Sequence, residues 1–218
     1  QEAVKNLKTG DILLVAGKGH EKIQDYGKKK TFFSDQKVIL NSIRAKNKSL
    51  SKNIKLNIIQ EQSKLNLSNK IQIKDASINS KLIKKNDIFF AIKGKNLDGN
   101  NYISEAIKKK SSFVIVNRFN KNHPLSKQIK VKNTLKFLTT CSSILRENIN
   151  AKIISITGSC GKTTLKEMIG LVLKKISRTS FSPKSYNNKY GVPVSLFNMN
   201  QSDDFGVFEI GMDKKGEI

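Results

Sequence analysis

The residues best suited to chemistry lie in one short stretch, Ile153-Ile-Ser-Ile-Thr-Gly-Ser-Cys-Gly-Lys-Thr-Thr164. It contains an apolar run, a loop bounded by Gly158 and Gly161, and then a lysine and two threonines. A triphosphate needs several backbone N–H groups to converge on it, and glycines let the backbone come close. Lys162 could then reach the β- and γ-phosphates, and the Thr163 hydroxyl could bind Mg²⁺. The stretch therefore predicts a strand, a phosphate-binding loop and a helix, with ATP and Mg²⁺ as cofactors.

This loop supplies most of the expected nucleotide contacts. They are Gly158, Ser159, Cys160, Gly161, Lys162, Thr163 and Thr164. The loop is shorter than the common pattern G-x-x-x-x-G-K-[ST], because Ile156 stands where the first glycine would be. We interpret Cys160 as a small residue that fits the loop. A glycine-rich turn with an exposed lysine is the alternative interpretation of the motif.

A helix should follow the loop and hold its end in place. Apolar residues recur there at helical spacing: Leu165, Met168, Ile169, Val172, Leu173 and Ile176. This spacing predicts a helix that buries one face.

One carboxylate, Glu209, lies near the end of the apolar run Phe205-Gly-Val-Phe-Glu-Ile-Gly211. The run predicts a buried strand, where a charge is rare without a partner. We expect that partner to be the Mg²⁺ bound by Thr163, as for the acidic residue of other P-loop enzymes. A structural glutamate in a salt bridge is the alternative. In the polar loop before this strand, Asn187 and Asn188 are candidates for positioning the metal or the substrate.

Strands and helices alternate ahead of the phosphate loop, which predicts a small α/β domain over about residues 71–150. The apolar runs Asp87–Ile92 and Phe113–Val116 are typical of buried strands, and helical spacing is found in Tyr102–Lys110 and Leu135–Ile149. Residues 151–218 would then begin a parallel-sheet ATP-binding domain.

The first 70 residues carry weaker signals. The continuous apolar run Gly10–Ala16 predicts a buried strand. The loop after it contains Gly17, His20 and Glu21, which could bind a polar ligand or form an ordinary turn. Residues 46–70 are rich in Lys, Asn, Ser and Gln and are interpreted as a linker, with a possible strand at Ile54–Ile59.

Composition limits the class of protein. The chain has 218 residues, 37% of them hydrophobic, which is enough for one or two soluble domains. It shows neither a secretory leader nor an apolar run of membrane-spanning length, so we expect a cytoplasmic protein without membrane insertion. Cys141 and Cys160 have no metal-binding spacing around them. Because the sequence begins with Gln1 and ends soon after a predicted strand, we expect a fragment.

The formal net charge of +24 would normally suggest nucleic-acid binding. The lysines, however, are scattered over the chain among many Asn and Ser residues, and short runs such as Lys28–Lys30 and Lys108–Lys110 lack interleaved aromatic residues that could stack on bases. This pattern favours solvated surfaces over a nucleic-acid partner.

Three ordered motifs resemble the Mur ligases of peptidoglycan synthesis. They are Thr157-Gly-Ser-Cys-Gly-Lys-Thr-Thr164, Asn187-Asn-Lys-Tyr-Gly-Val-Pro-Val194 and Glu209-Ile-Gly-Met-Asp-Lys-Lys-Gly-Glu-Ile218. Upstream, Ile78-Asn-Ser-Lys81, Asp87-Ile-Phe-Phe-Ala-Ile-Lys-Gly94 and Asp98-Gly99 resemble the UDP-binding domain of the MurF branch. Two of these motifs differ from the family: Asn79-Ser80-Lys81 replaces Asp-Ser-Arg, and Asn100 replaces a histidine.

The first 45 residues resemble a different branch, the C-terminal tail of MurE. The motif Ala-Gly-Lys-Gly-His-Glu occurs at Ala16–Glu21, and its amino-acid contacts would fall on Gly17 and Glu21. The resemblance thus implies an α/β MurE–MurF fusion fragment. It would contain the end of a Rossmann-like domain (1–45), a linker (46–70), a UDP-binding domain (71–150) and the start of a P-loop domain (151–218).

By this resemblance, the reaction is ATP-dependent formation of an amide between UDP-MurNAc-tripeptide and D-Ala-D-Ala through an acyl phosphate. Lys162 and Glu209 would be the catalytic residues, Thr163 and Glu209 would bind Mg²⁺, and the UDP end would meet Ser80, Gly94 and Asp98. Because further metal ligands and the amine-binding domain of the family are not in the sequence, we expect this chain alone to be inactive as a ligase.

Three alternatives stay open at this point. The first is another Mur or folylpolyglutamate-type ligase, the second is an unrelated P-loop ATPase, and the third is a basic nucleic-acid-binding module.

Overall fold

The computed structural model describes residues 2–7, 11–16, 22–25, 27, 30–94, 96–183 and 186–211, and gives the backbone alone for residues 5, 25 and 44–53. The chain divides into two compact units, Gln1–Lys52 and Asn53–Ile218. Within the described residues, no helix combines the length and the apolar composition that a membrane span requires.

The first unit contains a short helix and a small hairpin. Helix α1 is Glu2–Asn6, and strand β1 (Ile23–Asp25) pairs antiparallel with β2 (Lys30–Phe32). Helix α2, Asp35–Ser63, begins in this unit and ends in the second.

The strand predicted at Gly10–Ala16 is wrong for the residues that the structure describes there. Residues 11–16 carry no strand, and Ile12 and Leu14 are 95% and 87% exposed. An apolar run becomes a buried strand only where neighbouring strands pair with its backbone and another layer covers it. Gly17, His20 and Glu21 lie outside the described residues, so the ligand site proposed on them stays a prediction.

The strand suggested at Ile54–Ile59 is also wrong, because these residues belong to α2. Leu56 and Ile59 are fully buried and Ile58 is 4% exposed, whereas Asn57 is exposed. Burial at this spacing is that of a helix face packed on a core, and tertiary packing overrides the strand preference of the isoleucines. The expected linker therefore contributes, from Asn53 onward, to the core of the second unit.

The second unit contains two parallel sheets. In the first, strands are arranged in the order β3-β4-β5-β6. Its elements are β3 (Ala76–Ser77), β4 (Ile88–Phe90), α3 (Ile103–Lys108), β5 (Phe113–Val116), β6 (Gln128–Lys130) and α4 (Thr134–Glu147). Short 3-10 turns occur at Ser80–Leu82, Gly99–Tyr102 and Leu125–Lys127. The strands and helices predicted for residues 87–149 are confirmed, within a few residues at their ends.

The second sheet holds the phosphate loop. Its strands are β7 (Lys152–Ile156), β8 (Thr179–Phe181) and β9 (Phe205–Glu209), in the order β7-β9-β8. Helix α5 (Lys162–Ile176) connects β7 to β8, and α6 (Gly191–Phe197) precedes β9. The predicted succession of strand, loop and helix is confirmed, and Glu209 is the last residue of the middle strand.

A continuous core joins these two sheets. It includes Phe90 of the first sheet, Leu138 of α4, Phe197 of α6 and Phe208 of the second sheet. The rings of Phe90 and Phe197 lie 6.0 Å apart in an edge-to-face arrangement. Cys141 lies in the same core, where burial raises the pKa of its thiol to about 12.

The buried face predicted for α5 is wrong. Met168 and Val172 are each 61% exposed and Ile176 is 78% exposed, whereas Lys166 and Gly170 are buried. The helix packs on β8 and β9 through the stripe that contains Lys166 and Gly170. Periodicity finds an apolar stripe, but the surrounding strands decide which stripe is buried.

Candidate functional site

The phosphate loop is shaped by two glycines with positive φ angles. Gly158 has a φ of 143° and Gly161 a φ of 73°, and Gly161 forms the N-cap of α5. Residues with a Cβ rarely adopt these conformations, so glycine is required at both positions. The loop therefore leads directly from the end of β7 into the N-terminus of α5, which is a favourable place for an anion.

Lys162 lies over this loop. Its Nζ donates hydrogen bonds to the carbonyl oxygens of Gly158, at 2.5 Å, and of Ser159, at 3.4 Å. The ammonium group is thereby held at the mouth of the loop. Cys160 and Thr164, the other loop positions expected to contact nucleotide, are exposed.

The Glu209 carboxylate joins three elements of the site. It is only 2% exposed, and its Oε2 accepts a hydrogen bond from Thr163 Oγ1 at 2.7 Å. Its Oε1 accepts one from Asn187 Nδ2 at 2.8 Å. Among the described residues, no lysine or arginine forms an ion pair with it, which disfavours the structural salt bridge considered as an alternative.

Hydrogen bonds from β7 and from the neighbouring loops fix the position of the end of β9, which carries this carboxylate. Ile156 at the end of β7 pairs with Glu209, and Thr157 Oγ1 donates to the Ile210 carbonyl at 3.1 Å. The Gly211 N–H donates to the Asn187 carbonyl at 2.7 Å. A carboxylate and a hydroxyl held next to a phosphate loop are the hard oxygen ligands that Mg²⁺ prefers, so these residues fit the expected metal.

The two adjacent asparagines have different positions. Asn187 reaches Glu209, whereas Asn188 Oδ1 accepts hydrogen bonds from the N–H groups of Tyr190 and Gly191, each at 3.0 Å. Asn188 therefore holds the turn that starts α6. The sequence named both as site residues without distinguishing these roles.

Ser80, expected at the UDP end, is buried beside a small charged cluster. Its Oγ donates to Glu105 Oε2 at 2.5 Å, and Lys109 Nζ donates to its carbonyl at 3.2 Å. Hydrogen bonding from Ser80, with a smaller effect of Lys109, lowers the pKa of Glu105. Sequence reasoning missed Glu105 and Lys109, whose only signal was their spacing of four residues on a helix.

Gly94 and Asp98 belong to one tight loop after β4. The Gly94 N–H donates to the Leu97 carbonyl at 2.8 Å, and Lys93 forms an isolated bridge with Asp98. Ser80 follows β3 and this loop follows β4, so the predicted UDP-binding residues lie after the C-terminal ends of two neighbouring parallel strands. Ligands of parallel sheets commonly bind at that edge.

Gly99 is required by close backbone packing. A Cβ at this position would lie 2.6 Å from the Ile92 nitrogen and 2.7 Å from the Ala91 carbonyl carbon. Asp98 caps the following turn, because its Oδ1 accepts hydrogen bonds from the backbone N–H of Asn100, at 2.9 Å, and from its side chain, at 2.6 Å. Arg118 lies 3.6 Å from the same carboxylate.

Comparison with known proteins finds similarity to one family. Residues 156–217 match the Mur ligase middle domain. The chain is 36% identical to a UDP-N-acetylmuramoyl-tripeptide--D-alanyl-D-alanine ligase of Rickettsia prowazekii over 154 residues, which are 71% of this chain and 34% of that protein. The enzyme of the same name from Haemophilus influenzae is 31% identical over 173 residues, 76% of this chain and 38% of that protein.

Solved structures agree with the sequence matches. MurF from Acinetobacter baumannii superposes with a TM-score of 0.62 at 28% identity, covering 73% of this chain and 36% of that one. MurF ligase from Thermotoga maritima in complex with ADP gives a TM-score of 0.55 at 29% identity, covering 66% of this chain and 34% of that one. The chain spans about a third of the length of the curated relatives it matches.

Proposed function

We propose, from its similarity to the Mur ligases in sequence and in fold, that the chain carries the UDP-binding and ATP-binding part of a MurF-type ligase. Such an enzyme joins D-Ala-D-Ala to UDP-MurNAc-tripeptide in the cytoplasm. The observation that supports the proposal best is the buried Glu209 carboxylate, shared between Thr163 of the phosphate-loop helix and Asn187.

The reaction begins with transfer of the ATP γ-phosphoryl group to the terminal carboxylate of the tripeptide, which gives an acyl phosphate. The amine of D-Ala-D-Ala then attacks the acyl carbon, the C–N bond forms and inorganic phosphate leaves. Mg²⁺, when bound, offsets negative charge on the phosphate oxygens.

The residues of the chain have distinct parts in this scheme. The loop from Gly158 to Thr164 binds the phosphates through backbone N–H groups, and Lys162 stabilises the charge that develops on the transferring group. Thr163 and Glu209 supply oxygen ligands for Mg²⁺, and Asn187 orients the carboxylate through its hydrogen bond.

The UDP end of the substrate would meet the first sheet at Ser80, Gly94 and Asp98. The assignment of residues 1–45 to a MurE tail, and with it the fusion, stays a prediction.

Nucleotide binding by this chain tests the proposal first. We expect calorimetry to show ADP binding that Mg²⁺ strengthens. Lys162→Ala should weaken it at least tenfold with or without the metal, because a charged contact to phosphate is lost. Glu209→Gln, which keeps the side-chain shape, should abolish the gain from Mg²⁺ and leave metal-free binding in place. The matched control is Glu147→Gln, at an exposed glutamate of α4.

A phosphate-release assay tests the complete reaction. In a protein that continues this chain to the length of its relatives, release should require ATP, Mg²⁺, UDP-MurNAc-tripeptide and D-Ala-D-Ala together and be lost in Lys162→Ala. The 218-residue chain alone should give no turnover. ATP hydrolysis at the same rate without UDP-MurNAc-tripeptide and D-Ala-D-Ala would contradict the ligase function and favour an unrelated P-loop ATPase. Salt-dependent DNA binding unaffected by Lys162→Ala would favour the nucleic-acid-binding alternative.

A further inference from the structure

Lys166 is a fully buried lysine on the helix that carries the phosphate-loop residues. It lies one turn after Lys162, its exposure is 0%, and its Nζ donates a hydrogen bond to the Ser182 carbonyl at 2.6 Å. The carboxylate of Glu167 lies 3.0 Å from the same ammonium. Burying an ammonium group is costly unless hydrogen bonds and an opposite charge compensate it, so this arrangement fixes the side chain in one place.

Ser182 is the residue at which the chain leaves β8. Its N–H donates to the Val207 carbonyl of β9 at 3.1 Å, while its own carbonyl accepts the Lys166 bond. The exit point of β8 is therefore held on one side by the central strand and on the other by α5.

The segment that starts at Ser182 leads to Asn187. There the Asn187 carbonyl accepts from Gly211 N–H, and its side chain donates to Glu209 Oε1. The other carboxylate oxygen accepts from Thr163, which lies on α5 three residues before Lys166. Thr163 and Asn187, which both donate hydrogen bonds to Glu209, thus belong to different segments of the chain. Lys166, on the same helix as Thr163, donates a hydrogen bond to Ser182, where the segment that leads to Asn187 starts.

We propose that Lys166 is a positioning residue of the nucleotide site, which sets the spacing between Thr163 and Asn187 and so orients Glu209 toward the Mg²⁺·nucleotide. The inference rests on the proposed function, since it assigns Glu209 to the metal. The contacts given above join Lys166 to Ser182 and to Glu167.

A purely structural lysine would lower stability without changing how the metal affects binding. The test therefore uses the ratio of the ADP dissociation constants measured in EDTA and in Mg²⁺, with the full 218-residue chain. Lys166→Met should leave the metal-free constant within about twofold and reduce the Mg²⁺ ratio about tenfold, a size of coupling found within hydrogen-bond networks. Lys175→Met, at an exposed lysine of the same helix, is the matched control and should keep the wild-type ratio.

A double-mutant cycle with Asn187→Ala shows whether both residues act on the same group. If Lys166 acts through the segment that carries Asn187, the double variant should lose little more of the Mg²⁺ ratio than Asn187→Ala alone. Additive losses, or a wild-type ratio in folded Lys166→Met, would overturn the proposal.

Folding of the variant is checked by circular dichroism before binding is measured. If Lys166→Met does not fold, Lys166→Gln, which keeps a neutral donor on a shorter side chain, takes its place in the same cycle. Failure of both variants to fold would assign Lys166 to stability alone and overturn the positioning role. If Mg²⁺ does not change ADP binding by the wild-type chain, the proposed function is refuted instead. Failure of the positioning role and failure of the proposed function are therefore distinguishable.

Discussion

Asp98 is a loop carboxylate kept ionised mainly by a neutral neighbour. Hydrogen bonds from the Asn100 side chain and backbone lower its pKa, and the charge of Arg118 contributes less. The pKa in the folded chain lies below that of the unfolded chain, so the unfolded state binds more protons in the interval between the two values. The stabilisation from Asp98 is therefore present above its ordinary pKa and is lost as the pH falls through the lowered value.

The pH dependence of stability tests this account. Asn100→Ala removes the side-chain hydrogen bond and should cost about 1 kcal/mol of unfolding free energy near neutral pH. The difference from wild type should shrink as the pH falls through the ordinary pKa of an aspartate and then through the lowered pKa of Asp98, as Asp98 becomes protonated in both proteins. Urea unfolding at a series of pH values measures this difference in unfolding free energy. Asn101→Ala, at the exposed neighbouring asparagine, is the control. A difference that stays constant over this range would contradict the role of Asp98.

Local motifs predicted the phosphate loop, whereas its supporting contacts depend on tertiary structure. Lys162 and Thr163 could be proposed from the sequence because a phosphate site needs fixed residue types at fixed spacing. Glu209 could be found because a charge inside an apolar strand is costly. Lys166 could not, since a lysine on an amphipathic helix normally reaches solvent. Its burial follows from the position of Ser182, sixteen residues further along the chain.

The arrangement of α5 on β8 depends on Gly170. A Cβ at this position would lie 2.7 Å from Cγ and Cδ1 of the Phe181 ring, so the helix approaches the strand more closely than alanine allows. Among the exposed residues of the same helix is Met168. The face of α5 that contains Gly170 therefore has no room for a larger side chain, whereas the face that contains Met168 is exposed to solvent.

Substitutions on these two faces should differ in how much they change stability. Gly170→Ala gains about 1 kcal/mol of helix propensity but must displace a ring, which costs about 1–3 kcal/mol and more if the helix shifts. We expect net destabilisation, together with weaker ADP binding if α5 moves. Met168→Gln should change stability by less than about 0.5 kcal/mol. Urea unfolding, monitored by circular dichroism, compares the stability of the two variants. A Gly170→Ala chain more stable than wild type would show that α5 has room for a methyl group beside Phe181.

The elements that sequence reasoning missed or misassigned are either too short to show a period or decided by tertiary packing. Strand β3 has two residues and β6 three, too short for a visible alternation of apolar side chains. At Ile54–Ile59, isoleucines suggested a strand, but packing on the core selected a helix. At residues 11–16, the run had the composition of a buried strand without strand pairing in the described structure. Helix α4, with its helical period, and β9, with its continuous apolar run, were predicted well.

At the scale of the second unit, Asn198 connects the region after α6 to the edge of the first sheet. Its Oδ1 accepts a hydrogen bond from Ala76 N–H at 2.6 Å, and its Nδ2 donates to the Ala76 carbonyl at 3.0 Å. The side chain thus bonds to β3 as a neighbouring strand would. Close by, Lys55 is buried against the Phe197 ring and donates to the Lys74 carbonyl, and desolvation lowers its pKa.

Asn198→Ala tests whether the two sheets unfold together. The substitution leaves the N–H and C=O of the buried Ala76 without this partner, which should cost about 2–4 kcal/mol. Because Phe90, Phe197 and Phe208 lie in one core, the loss should appear equally in both sheets. Hydrogen exchange should then accelerate by the same factor in β4 and β5 as in β7 and β9, while Asn200→Ala, at an exposed asparagine, should leave both near wild type. Faster exchange confined to β3 and β4 would mean that the sheet of β7, β9 and β8 holds its structure without the sheet of β3, β4, β5 and β6. In that case the core shared by the two sheets would not make them one cooperative unit.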